Sequence, residues 1–160
     1  MSERSPMTVK GHEQLKERLE HMKKVERPAA SKAIEIARAH GDLSENAEYH
    51  AAKEHQGMPE AKIKVLEAKL SIAQVVDVSK LSGDRVVFGA TVEIEDVDSG
   101  DEKKIVIVGE EEVDVEKGYI AFSSPLAKSL LGKNLDDLVK VRLPSGEKEY
   151  EIRSVSFEEI

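Results

Sequence analysis

Two long stretches of this 160-residue chain place an apolar residue at every third or fourth position, and no other feature limits its fold as much. From about Glu13 to Ala39 the series is Leu15, Leu19, Met22, Ala29, Ala33 and Ile36, with Val25 standing in for the member missing at Glu26. From about Glu45 to Gln74 it is Ile63, Leu66, Leu70 and Ala73, preceded by Ala47, Ala51 and Ala52. Such spacing puts one stripe on one face of an α-helix. Each helix would be roughly 40 Å long at its rise per residue, so the two stripes are expected to cover each other in an antiparallel coiled-coil hairpin. The small alanines near the turn allow close approach of the backbones. Pro28 and Pro59 fall inside the two runs, where a proline removes a hydrogen bond and costs about 3 kcal/mol in an isolated helix. Bends are expected near Val25 to Pro28 and His55 to Pro59, two shorter helices at each place being the alternative.

After Gln74 the period changes from helical to alternating. Val75–Val78, Val86–Ile94, Lys104–Val108, Tyr119–Phe122, Val139–Leu143 and Tyr150–Phe157 are rich in β-branched and aromatic residues, as strands are. Pro144-Ser145-Gly146-Glu147 reads as the turn between the last two. One short helix interrupts them, with Ser124 as cap, Pro125 in its first turn and Gly132 at its end. The fold class expected is α+β. A helical hairpin over residues 1–75 precedes a small, mostly antiparallel sheet domain with one helix over 76–160.

Charge separates the halves as well. Residues 1–78 hold 13 Lys+Arg and 13 Asp+Glu, whereas residues 79–160 hold 11 and 19, so the net charge of −8 belongs to the second half. An acidic module disfavours long-range attraction to duplex DNA, whose binding rests on neutralising phosphates; a protein partner suits it better. All five histidines lie in the first half, which becomes cationic as pH falls. The absence of cysteine excludes disulfides and thiolate metal sites. No apolar run approaches the roughly 18 residues of a membrane span, and a cytoplasmic location without membrane contact is expected.

Chemistry is concentrated between the helical runs, at Gly41-Asp42-Leu43-Ser44-Glu45-Asn46. Asp42 followed three residues later by Glu45 matches a capping box, with Asp42 accepting the Glu45 N–H and both charges suiting a helix N-terminus. On spacing alone that is the commoner use of such a pair. The alternative is that two carboxylates at an exposed tip hold Mg²⁺, which takes hard oxygen ligands and is often bound through one or two carboxylates, waters and phosphates. Two carboxylates alone bind it weakly, so a partner must complete such a site. Arg38, His40, His50 and Lys53 surround the stretch, with Tyr49 among them. They are either solvated helix faces or a set that grips a phosphate backbone while Tyr49 stacks on a base. Arg38 suits phosphate better than Lys53, since its fork binds two oxygens at once. His50 and His55 are five apart and face different ways, which argues against a histidine metal site.

The run Ala37-Arg38-Ala39-His40-Gly41-Asp42-Leu43-Ser44-Glu45-Asn46-Ala47-Glu48-Tyr49-His50-Ala51-Ala52-Lys53-Glu54 resembles the hairpin-tip signature of the GreA/GreB family of bacterial transcript cleavage factors. Ser124-Pro125-Leu126-Ala127-Lys128-Ser129-Leu130-Leu131-Gly132-Lys133 resembles the family's C-terminal domain, and the likeness spans essentially the whole chain. Ala51-Ala52 after His50 is closer to the GreA branch than to the more basic GreB branch, while Pro59 departs from the family pattern. The resemblance implies a hairpin that enters the secondary channel of a backtracked RNA polymerase. There Asp42 and Glu45 help the polymerase's own aspartates hold a second, shared Mg²⁺ for hydrolysis of the transcript. It also implies that Arg38, Lys53 and Tyr49 contact the nascent RNA 3′ end. The C-terminal domain is then FKBP-like and docks on the channel rim of the largest polymerase subunit through Ser124, Pro125, Leu126, Leu130 and Leu131. On this reading the chain has no cofactor of its own, acts as a monomer and is not a nuclease without polymerase.

Two rival classes differ from this in kind. A peptidyl-prolyl isomerase is suggested by the FKBP-like resemblance, but the domain has no Trp and only Phe88, Phe122, Phe157, Tyr119 and Tyr150 to supply both core and pocket. An inhibitory channel-binding homologue would use the same rod to block the active site. Against it, the stretch from Asp42 to Tyr49 reads as cleavage-competent.

Overall fold

A computed structural model describes residues 4–41 and 46–160. They form two compact units, one of Glu13–Ile72 and the other of the residues up to His12 together with Ala73–Ile160. By contacts, the first described residues thus group with the later part of the chain. The first strand, β1 (Ser5–Thr8), pairs in parallel with β2 (Ala73–Val76), Ser5 opposite Ala73 and Thr8 opposite Val76. A parallel partner so distant in sequence leaves no local signature.

The helical unit consists of α1 (Val9–His21), one wide π turn (Met22–Glu26), α2 (Arg27–Arg38) and α3 (Ala47–Ser71), with α2 packed along α3 as a hairpin. The first residues of α1 belong to the other unit. In the π turn the Arg27 N–H donates to the Met22 carbonyl, five residues back instead of four. This wide turn stands immediately before Pro28, which occupies the first turn of α2, where its missing N–H costs least.

That extra residue changes which side chains are buried. Leu15 is buried, and Leu19 and Met22 are half-buried, as their spacing predicts. Beyond the π turn the face is carried by Ala30, Ile34 and Ala37, each one position later than Ala29, Ala33 and Ile36. Ala37 is 3% exposed and Ile36 53%. Val25 does not substitute for Glu26; it is half exposed. A variant lacking Val25 and carrying Pro28→Ala should form an unbroken α-helix with Ala30, Ile34 and Ala37 still in phase with Leu15. Its melting temperature is expected to equal or exceed the wild-type value, and a clear drop by calorimetry would refute this account of the register.

The second proline behaves differently. The helix α3 continues through Pro59 without a break, so the alternative of two shorter helices there does not hold. Tyr49, Ala52, Pro59, Ile63, Leu66 and Leu70 form its less exposed face, with Pro59, Ile63 and Leu66 buried. Burial of the compact ring on this face offsets part of the hydrogen bond it cannot make. Beside the ring, a hollow of about 310 Å³ is bordered by Met22, Glu26, Ala30 and Pro59 itself. Across the pair the Arg27 guanidinium donates from Nε and Nη2 to the two oxygens of Glu60 at 2.6 and 3.2 Å. Both side chains are well exposed, so this pair contributes register more than stability.

In the other unit, β3 (Thr91–Asp96), β4 (Glu102–Val108), β5 (Tyr119–Ala121), β6 (Leu138–Leu143) and β7 (Gly146–Ser156) form one sheet in the order β5-β4-β3-β7-β6. All neighbours are antiparallel except β4 and β5. The helix α4 (Pro125–Leu130) packs on β6. Alternate residues of the sheet, among them Val92, Ile94, Ile105, Ile107, Val141 and Ile152, meet Ala127 and Leu130 in one core. The turn expected at Pro144–Glu147 joins β6 to β7, with Leu143 opposite Gly146. The strand expected over Val86–Ile94 begins only at Thr91. Gly89 adopts a φ of +89°, and a side chain there would strike Val78, so the extended run is interrupted. Likewise Val78 leaves the strand expected over Val75–Val78 for a short 3₁₀ turn capped by Asp77.

One charged group ties β1 to this unit. The Glu112 carboxylate accepts from the Thr8 N–H at 3.1 Å, the Gly109 N–H at 3.0 Å and the Thr8 hydroxyl. That hydroxyl oxygen in turn accepts from the Gly11 N–H and caps α1.

Candidate functional site

The hairpin end is assembled by helix termini. The helix α2 ends at Arg38, and α3 begins at Ala47 with Asn46 as its cap, Oδ1 accepting from the Tyr49 N–H at 3.0 Å. The cap of α3 is thus Asn46, and the capping box read at Asp42 and Glu45 lies outside the described residues. The cue was present in the sequence: an N-cap residue type directly before Ala47, with acidic Glu48 in the first turn. The same Asn46 side chain donates from Nδ2 to the carbonyl of Ala37 in α2. Asp42 and Glu45 themselves, the candidate metal and catalytic acids, lie outside the described residues.

Three of the sequence candidates do come together. The Arg38 guanidinium carbon and the Lys53 Nζ each lie 5.9 Å from the centre of the Tyr49 ring. Lys53 is one helical turn beyond Tyr49, so that pair is local. Arg38 arrives from the other helix and depends on the hairpin. Each contact contributes on the order of 0.5–1 kcal/mol at an exposed site, enough to orient the cations without neutralising them. The ring of His50 meets Tyr49 edge-on with centroids 5.6 Å apart. His40 Nδ1 stands 3.3 Å from Glu48 Oε2 across the hairpin. The result is a cationic, aromatic cluster at the helix ends flanking the acidic stretch in sequence. It offers donors for phosphate oxygens and one ring for stacking. Among the described residues no group of three or more histidines and carboxylates is placed to hold a metal ion.

In the sheet unit the docking candidates divide by burial. Ser124 caps α4, its hydroxyl oxygen accepting from the Ala127 N–H at 3.3 Å, and Pro125 follows it exposed in the first turn. Leu130 is fully buried and belongs to the core, with Leu126 and Leu131 packed partly against it. Leu130, named for docking from the resemblance, has no exposed surface to offer a partner. Pro125 and Lys128 are the exposed members of that helix.

The two halves of the chain match two family models, one described as the N-terminal part of a transcription elongation factor over residues 5–75, the other as the C-terminal part of transcription elongation factor GreA/GreB over residues 81–157. The chain belongs to the GreA/GreB family. It is therefore a transcription elongation factor, as the resemblance at the hairpin had implied. It is 55% identical over 157 residues to transcription elongation factor GreA of Anaeromyxobacter sp. (strain K), covering 98% of this chain and 95% of that one. With GreA of Xanthomonas axonopodis pv. citri (strain 306) it shares 52% over 155 residues, 96% of this chain and 98% of the other. Among solved structures, GreA factor homolog 1 of Thermus thermophilus is 28% identical with a TM-score of 0.42, the match covering 95% and 98% of the two chains.

Proposed function

We propose that this family member binds RNA polymerase, inserts its hairpin into the secondary channel and stimulates cleavage of backtracked transcripts by the polymerase active site. The observation that carries the proposal is the gathering of Arg38, Tyr49 and Lys53 at the helix ends that flank Asp42 and Glu45 in sequence. Cations alone would bind any anion, and carboxylates alone would repel RNA. A set holding both suits a substrate that is an RNA end at a metal-dependent site.

In this mechanism Arg38 and Lys53 hold phosphate oxygens near the 3′ end, and Tyr49 stacks on an unpaired base. Asp42 and Glu45 supply hard oxygen donors of the kind Mg²⁺ takes, and two of them suffice only when the polymerase provides the remaining ligands. When bound, a second Mg²⁺ shared in this way activates the attacking water and balances charge developing on the phosphate. One of the two carboxylates also orients that water. The C-terminal unit docks on the rim of the largest subunit, its surplus of acid suiting a basic surface. In this role the chain completes an active site and carries none of its own.

Adding the chain and Mg²⁺ to a backtracked elongation complex is expected to release short 3′ RNA fragments faster, and RNA without polymerase should remain intact. Arg38→Ala should raise the factor concentration giving half-maximal stimulation by roughly 5- to 30-fold, the loss of one charge-assisted contact of about 1–2 kcal/mol. An unchanged concentration dependence would remove Arg38 from the RNA contact.

A further inference from the structure

We propose that Asn46 is a positioning residue, a clamp across the hairpin that fixes the separation of the helix ends flanking Asp42 and Glu45 in sequence; this rests on the function proposed above. Its side chain bridges both helices. Oδ1 accepts from the Tyr49 N–H of α3 while Nδ2 donates to the Ala37 carbonyl of α2. That carbonyl also accepts the His40 N–H at 3.2 Å, and Ala37 itself is 3% exposed. The clamp thus grips the residue directly before Arg38, the backbone of Tyr49 and the position directly after Glu45.

Capping alone does not require asparagine here. Ser, Thr and Asp cap a helix equally well through a side-chain oxygen. Ser and Thr both donate and accept through one hydroxyl, whereas among the short cap residues only Asn carries its acceptor and its donor on two separate atoms aimed in different directions, which suits contact with two helices at once. The Nδ2 bond adds little to the stability of α3. What it does is hold the two ends of the connecting stretch at a fixed separation. A displacement of about 1 Å in a catalytic group can cost as much as 10²-fold in rate without altering binding, so the consequence belongs in the maximal cleavage rate.

Two variants separate the clamp from the cap. Asn46→Asp keeps an oxygen for the Tyr49 N–H and has no donor for Ala37, while Asn46→Ser, without added charge, leaves one hydroxyl on a shorter side chain that caps Tyr49 and no longer spans to the Ala37 carbonyl. In a transcript-cleavage titration with backtracked polymerase, both should lower the rate at saturating factor by roughly tenfold. The half-saturating concentration and the melting temperature should stay at wild-type values. Amide exchange in the free protein should quicken at His40 and remain slow at Tyr49. A wild-type maximal rate in Asn46→Ser, a loss seen only as weaker binding, or a lowered melting temperature in both variants would overturn the proposal. Should wild-type protein itself fail to accelerate cleavage, the functional reading fails, whereas the exchange data still judge the clamp.

Discussion

Asp42→Ala and Glu45→Ala are each expected to abolish stimulation of transcript cleavage, lowering the rate at saturating factor by roughly 10² or more while polymerase affinity stays near the wild-type value. The size follows from the role. A ligand that helps place a metal supplies several kcal/mol of transition-state stabilisation, and each ~1.4 kcal/mol is tenfold in rate. On the proposed function affinity is spared, because the acids would engage a shared ion whereas docking would rest on the other unit and on the cations. Asp42→Asn and Glu45→Gln preserve size and hydrogen bonding while removing charge, and should behave as the alanine variants do. Raising Mg²⁺ should recover part of the lost rate. If the double alanine variant cleaves at the normal rate, the stretch is structural and the mechanism is wrong. The stability of α3 should hardly respond, since Asn46 caps it.

A second large effect is expected in the other unit. Glu112→Ala removes the acceptor for the Thr8 N–H, the Thr8 hydroxyl and the Gly109 N–H at once. Thr8 is 3% exposed, and a buried donor without a partner costs about 1–3 kcal/mol. The total expected is about 3 kcal/mol, which in a unit of this size lowers its melting temperature by roughly 10 °C or more. Gly11 gives the sharper test. In a helix Ala is ordinarily better than Gly by about 1 kcal/mol, but a Cβ at Gly11 would lie 2.4 Å from the Glu112 carboxyl carbon. Gly11→Ala should therefore destabilise the wild type and stabilise the Glu112→Ala variant. Additive effects in this double-mutant cycle would show that the two groups do not meet.

Local signals account for the parts of the architecture that could be read in advance. Three-four spacing marked both helical runs, alternation marked most strands, and Ser124 with Pro125 marked the start of α4. Such signals fail wherever a distant contact decides. The side chains facing α3 beyond Glu26 were misassigned by one residue because a π turn is a change in hydrogen-bond ladder, with no period of its own. The strand Ser5–Thr8 went unrecognised because four residues show too little alternation to be read, and its parallel partner begins at Ala73. Leu130 looked like a contact residue because a motif records that a residue matters without recording which way it points.

The candidate site divides along the same line. By itself the sequence determined its inventory, with two carboxylates, two cations and a tyrosine gathered within the span Arg38 to Lys53, because helical neighbours three and four apart share a face whatever surrounds them. It also carried the family signature. Tertiary structure alone decided that Arg38 of one helix reaches the Tyr49 ring of the other, and that Asn46 joins both. Those contacts depend on how two helices pack, and packing is set by every buried side chain along the pair, including the shift of one residue introduced at the π turn.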